Sequence, residues 1–264
     1  MQSLFDSVLE RPKPGYLPSS GPALLTYSSL IGALYSTLYR PQTWATFAQT
    51  LADLKNGNTT TALKMLEKLE FEYDPASPPP RSKTPLTLSS DELGALVICA
   101  DSYDAPEEPL EWWDDLWANM TQKSFIAGNS RFSNVFPCRH FNKYWKPAEV
   151  YRGDLNHTLK TPIMLVAEPY DPATPLRNGR RLLAEMGLNA RLLVHHGYGH
   201  SSLQNPSECT DFTQRKYIMT GEVPTKQETD CYADLPPYML GLEKPKSAGE
   251  VWAEHSTEMR VMGH

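Results

Sequence analysis

The chain has 264 residues, room for one large domain or two small ones, and its 40% hydrophobic and 21% charged residues fit a folded globular protein. A net charge of −6 and a pI near 5.7 argue against a general binder of nucleic acid or anionic membrane. No apolar run approaches the ~20 residues that span a bilayer, and the start, MQSLFDSVLERPKPGY, lacks the basic and apolar regions of a signal peptide.

Residues 1–22 carry Pro12, Pro14, Pro18 and Pro22 with little periodicity and read as an extended linker. From Ala23 to Leu38, apolar residues at Leu24, Tyr27, Leu30, Ile31, Leu34 and Leu38 keep helical spacing. Pro41 ends that helix. Thr43 can cap the next, which has Trp44, Phe47, Leu51 and Leu54 on one side, and a third follows through Leu63, Leu66 and Leu69. Residues 74–85, DPASPPPRSKTP, are a loop, because consecutive prolines preclude regular structure. A short apolar run, Ala95–Ala100, precedes an aromatic-rich helix over 107–123, whose Trp112, Trp113 and Trp117 are expected to serve as core rather than binding surface.

The C-terminal half carries the chemistry. Ile163–Ala167 is short and apolar enough for a buried parallel strand. Asp171 follows in the turn Tyr170-Asp171-Pro172, and then a helix with Thr174 as N-cap, Pro175 at the first helical position, Leu176, Leu183 and Met186 inward, and Gly187 as its stop. A second apolar run, Ala190–Val194, leads to Gly197-Tyr198-Gly199-His200. A carboxylate past one parallel strand and an imidazole past the next lie at the same sheet edge, where open α/β sheets place their ligand sites. An aspartate there can hold a histidine in the tautomer that takes a proton from a serine hydroxyl. In α/β-hydrolases the chain order is serine, acid, histidine. Residues 207–218 read as the final helix and 221–239 as an irregular strapped segment.

Several spaced pieces resemble the C-terminal part of the tripeptidyl aminopeptidase-like (TAP-like) α/β-hydrolases: TPIMLVAEPYDPATPL, GYGHSSL, Pro206-Ser207-Glu208-Cys209, Gly221-Glu222-Val223-Pro224 with Cys231, and Asp234-Leu235-Pro236-Pro237-Tyr238. Upstream, Leu38-Tyr39-Arg40-Pro41 with Trp44, Cys99-Ala100-Asp101, and Phe136-Pro137-Cys138 with Trp145 and Pro147 are similar to that family's cap and the segment after it. The resemblance implies secreted serine hydrolases that cleave peptides near free N-termini, or related amides and esters. It places the catalytic acid on Asp171 and the catalytic histidine on His200. Four cysteines allow three pairings from sequence alone; the resemblance implies Cys209–Cys231 and Cys99–Cys138. The chain then divides into a linker (1–22), a helical cap-like region (23–150), a C-terminal α/β-hydrolase segment (151–240) and a tail (241–264).

No G-x-S-x-G elbow occurs anywhere in the chain. Gly128-Asn129-Ser130 runs into Arg131, Ser201 and Ser202 sit beside the histidine, and no elbow glycines surround Cys99 as an alternative nucleophile. The expected fold class is therefore α/β: a partial α/β-hydrolase fold with a helical cap region, lacking its N-terminal core strands and nucleophile elbow. Three situations fit: a truncated product, half of a split enzyme complemented by an N-terminal chain, or a relative without activity that serves as a binding protein. His195, His196 and His200 lack a second ligand group of known spacing, so no metal is expected, and no cofactor either. The helix arginines Arg177, Arg180 and Arg181, and Arg191 beyond them, read as solvated. Sequons at Asn58, Asn119 and Asn156 lean toward a secretory parent.

Overall fold

The computed structural model describes residues 1–70, 90–101, 108–140 and 153–240. The proline-rich loop 74–85, Trp145, Pro147 and the tail 241–264 lie outside the described residues.

The first 25 residues are not a linker. They form helix α1 (Gln2–Glu10) and an antiparallel hairpin of β1 (Lys13–Leu17) and β2 (Gly21–Leu25). Phe5 and Val8, one helical turn apart, are fully buried, as are the strand ends Leu17 and Leu25. The prolines that suggested a linker are accommodated because each strand of this two-stranded sheet is an edge: Pro14 faces Leu24 and Pro22 faces Tyr16. The hairpin takes residues 21–25, so helix α2 (Tyr27–Leu38) starts later than its apolar spacing suggests. Thr26 caps it, its hydroxyl accepting from the Ser29 amide at 3.1 Å. Helices α3 (Trp44–Lys55) and α4 (Thr60–Glu70) follow. Their inward residues Phe47, Leu54, Leu63 and Leu66 join Leu30, Ile31 and Leu34 around Phe5 and Val8 in one apolar core.

Ala95–Ala100 lies within helix α5 (Ser90–Asp101). Helix α6 (Leu110–Lys123) contains no buried residue, so its tryptophans do not form a core. They instead build a half-exposed aromatic cluster with α7 (Phe125–Val135) and the turn after it: Trp113 lies edge-on to Phe136 and Trp117 tilts over Phe132. The two helices approach so closely that a side chain at Gly128 would start 2.2 Å from the Met120 carbonyl oxygen. A disulfide joins Cys99 of α5 to Cys138 beyond α7.

The C-terminal part is an α/β unit. Strands β3 (Ile163–Ala167), β4 (Ala190–His196) and β5 (Glu228–Tyr232) form a parallel sheet in the order β3-β4-β5. Helix α8 (Leu176–Met186) connects β3 to β4, and α9 (Glu208–Thr220), capped by Ser207, connects β4 to β5. The segment expected to be irregular thus contributes a third strand. Its sequence, ETDCY, has no apolar run to announce it. It is held by backbone pairing to β4 and by the Cys209–Cys231 disulfide to the start of α9. A second apolar core, of Ala167, Leu176, Leu183, Met186, Leu192 and Val194, lies between α8 and the sheet. β5 covers one edge of β4, whereas the outer edge of β3 carries no strand among the described residues.

Candidate active site

Strand β3 ends at Ala167, and the chain turns through Glu168-Pro169-Tyr170 to Asp171. Thr174 does not cap α8. Pro175 occupies the N-cap position, and the first helical amide, Leu176 N–H, donates to the Glu168 carbonyl at 2.8 Å. Asp171 therefore keeps its carboxylate for the turn and for what lies across it. Its Oδ1 accepts the amides of Ala173 (2.7 Å) and Thr174 (2.8 Å), and its Oδ2 accepts the Thr174 hydroxyl at 2.9 Å. The Ser201 amide adds a longer contact to Oδ2 at 3.3 Å. Burial pushes the Asp171 carboxyl up, but the amides of Thr174 and Ala173, the His200 ring and the Thr174 hydroxyl outweigh it, and the group lies below the usual carboxylate value.

The histidine arrives from the next strand. After β4, Gly197-Tyr198-Gly199 turns the chain so that His200 Nδ1 sits 2.9 Å from Oδ2 and 3.1 Å from Oδ1 of Asp171. Because Asp171 is ionised, Nδ1 carries the proton and donates it, leaving Nε2 as an acceptor. Nε2 has no hydrogen-bond partner among the described residues, and the His200 side chain is 36% exposed. Asp171, by contrast, is buried. A buried acid orienting a half-exposed imidazole is an arrangement that can do the acid–base work of a nucleophilic triad.

The N-terminal helices help to hold this loop. His200 N–H donates to the Tyr39 carbonyl at 3.0 Å, and the two rings meet with centroids 4.6 Å apart. Gly199 adopts φ +98°, and a Cβ there would lie 2.7 Å from both the Tyr39 carbonyl oxygen and Pro41. Tyr198 stacks on Tyr170 and meets Trp44 edge-on.

The remaining candidates separate. His195 is fully buried between the Thr210 hydroxyl (2.8 Å) and the Asn205 carbonyl (2.9 Å), and His196 pairs with Asp230 and stacks on Tyr232. With His200 on Asp171, the three rings point to three different partners, and no group of three metal-ligating side chains occurs among the described residues. Cys99 is bonded to Cys138 and has no thiol to act as nucleophile. Arg180 pairs with Glu228 and Arg181 with Glu185.

Two residues escaped the sequence reading. Tyr39 was visible only as part of a motif, with nothing to say which strand loop it would touch. Glu168 was visible as a lone carboxylate ending an apolar strand, two residues from Val166 and so on its face. It is buried, its Oε2 has no hydrogen-bond partner, and burial followed by the nearby Asp171 charge pushes its pKa up to about 8.

A parallel sheet with its connecting helices makes this an α/β unit, and the acid and histidine at the ends of adjacent strands stand in the order that α/β-hydrolases use. The model of the Abhydrolase_4 family, described as TAP-like protein, matches residues 123–231. This stretch is a TAP-like α/β-hydrolase C-terminal region, and it contains both Asp171 and His200. No curated protein matches the chain. The protein is thus hydrolase-related.

Proposed function

We propose that this protein supplies the acid and the general base of a serine hydrolase whose nucleophile comes from polypeptide outside these 264 residues. The observation that carries this reading is the Asp171–His200 pair, in which a buried carboxylate accepts a hydrogen bond from Nδ1–H and leaves Nε2 without a partner among the described residues. In the reaction, Nε2 accepts the serine proton as the hydroxyl oxygen attacks a carbonyl carbon. Asp171 stabilises the imidazolium, which then protonates the departing amine or alcohol. Water, deprotonated by the same Nε2, then attacks the acyl carbon; the bond to the serine oxygen breaks, the imidazolium returns its proton to that oxygen, and the acid is released. The substrate class implied by the family resemblance is a peptide near its free N-terminus, or a related amide or ester.

The outer edge of β3 supports the same reading. Ile163–Ala167 is an unbroken apolar strand, the composition of one buried on both faces, yet Ile163 is 40% exposed and no strand pairs with that edge among the described residues. Further core strands joining there would bring the nucleophile elbow to the end of the sheet that carries His200.

The test is fluorophosphonate labelling of the purified chain, alone and after co-expression with a polypeptide carrying a G-x-S-x-G elbow. No labelling alone, and labelling of the partner's serine that His200→Ala abolishes, is the expected pattern. Stoichiometric labelling of a serine within the chain itself would overturn the proposal. Failure of any elbow-bearing partner to restore activity would favour a non-catalytic binding protein.

A further inference from the structure

We propose that the cavity beneath the β3–α8 turn is a binding site for an organic monocation, an ammonium or guanidinium group, with Glu168 as its counter-ion. The cavity has a volume of about 300 Å³, at the lower end for small-molecule sites. Glu168, Asp171, Thr174, Ser202 and Gln214 provide its polar lining, with Val166 beside them, and no lysine, arginine or histidine lines it among the described residues.

The second and deciding observation is Glu168 itself. Its residue is 2% exposed, yet Oε2 meets no donor. A buried carboxyl without a partner costs stability, and it marks the place where a donor is missing. Asp171 is the contrary case. Its two oxygens already accept two amides, a hydroxyl and the His200 ring, so it contributes charge to the cavity but has little coordination left to offer. Ser202 is likewise engaged, accepting from Gln214 at 3.3 Å.

The chemistry of the ligand follows from this donor set. Calcium and magnesium ask for about six or more oxygen ligands. One free carboxylate does not provide them, and no metal-holding cluster is found among the described residues. A single delocalised or ammonium charge needs one carboxylate and apolar walls for its carbon stem, and Val166, Ala167 and Leu203 supply those walls. Binding such a cation replaces the proton that the isolated carboxyl otherwise retains, so occupancy and proton release are coupled. Asp171 lines the site and also orients His200, but cation binding at Glu168 requires no nucleophile and no turnover, so the two proposals can fail separately.

The experiment titrates the full chain with methylguanidinium and with propylammonium at fixed ionic strength, followed by NMR of the Val166 methyls and the Gln214 side-chain amide. Affinity is expected to rise about 50-fold from pH 6 to pH 8, following the ionised fraction of a carboxyl with a pKa near 8, and then to level off. Glu168→Gln should weaken binding at pH 8 at least ~10-fold and remove the rise. Among the described residues, the other ionisable groups at the site are Asp171 and the His200 bonded to it. A pH dependence that survives in Glu168→Gln therefore belongs to them and overturns the proposal. So does unchanged affinity in that variant, absence of saturable binding in the millimolar range, or preferential binding of calcium over both organic cations. Because Glu168→Gln preserves shape, its fold is checked by the unchanged Cys209–Cys231 bond and amide spectrum.

Discussion

Glu168 and His195 are buried ionisable groups with opposite consequences for stability. The folded pKa of Glu168, about 8, lies above its ordinary value of 4.5. Its contribution is therefore complete below pH 4.5 and is lost as pH rises through 8, at up to ~1.4 kcal/mol per pH unit. His195 works the other way. Nε2 faces a carbonyl and must donate, and burial favours the neutral ring, in which Nδ1 accepts from the Thr210 hydroxyl. Burial lowers its pKa below 6.5, so its contribution is present above 6.5 and is lost as pH falls through the folded value. Glu168→Gln removes only the first slope. At pH 8 the variant should be more stable than the native protein by about 2 kcal/mol, a figure reduced for solvent access through the cavity, and the gap should close toward pH 5. Urea unfolding at pH 5, 6.5 and 8 measures it; a constant difference across this range would show that Glu168 stays ionised in the fold. In the sequence, the strand ends place Asp171 and His200 at one sheet edge, and the family resemblance, more than chain order, is what singled them out as a pair. The orphaned Glu168 was not legible, because the absence of a partner is a three-dimensional fact.

At the scale of elements, the same contrast separates the strands. β3 and β4 announce themselves as apolar runs flanked by turn residues, and α8 by its inward Leu176, Leu183 and Met186. The hairpin of β1 and β2 was obscured by prolines that an edge position tolerates, and β5 by polar residues whose place is fixed by a covalent bond. Only Cys231 of β5 is buried. Pairing with β4 alone gives a five-residue polar strand little apolar burial, so the Cys209–Cys231 bond, closing a separation of 22 residues, supplies much of its hold. Cys231→Ser should lower stability by about 3 kcal/mol. It should also raise hydrogen exchange at the amides of β5 and at Ala233 and Asp234, which bond the His196 and Pro206 carbonyls. Equal exchange in variant and native protein would mean that backbone pairing suffices without the bridge.

The described residues build two apolar cores, one around Phe5, Leu30 and Leu63, the other between α8 and the sheet. The histidine loop is a point where the parts that carry them touch. His200 N–H bonds the Tyr39 carbonyl, Gln42 donates to Gln204 at 3.3 Å, and Trp44 meets Tyr198. The orientation of His200 is thus set from both sides: Asp171 fixes its ring and Tyr39 its backbone. Gly199 makes this possible, since its φ of +98° and the Tyr39 carbonyl leave no room for a Cβ. Gly199→Ala should destabilise the protein by about 1–3 kcal/mol through strain and displacement of that carbonyl. The effect should also reach past stability. The His200 amide should lose its exchange protection, and the ring should lose its fixed Nδ1–H tautomer in nitrogen-15 spectra, while both disulfides and the α8–sheet core stay intact. If the tautomer persists with the Tyr39 bond broken, Asp171 alone orients the histidine, and the N-terminal helices contribute a wall to the site and no alignment. If both signals are lost together, the acid–histidine pair depends on the packing of the entire chain, because its geometry is completed by residues more than a hundred positions away in sequence.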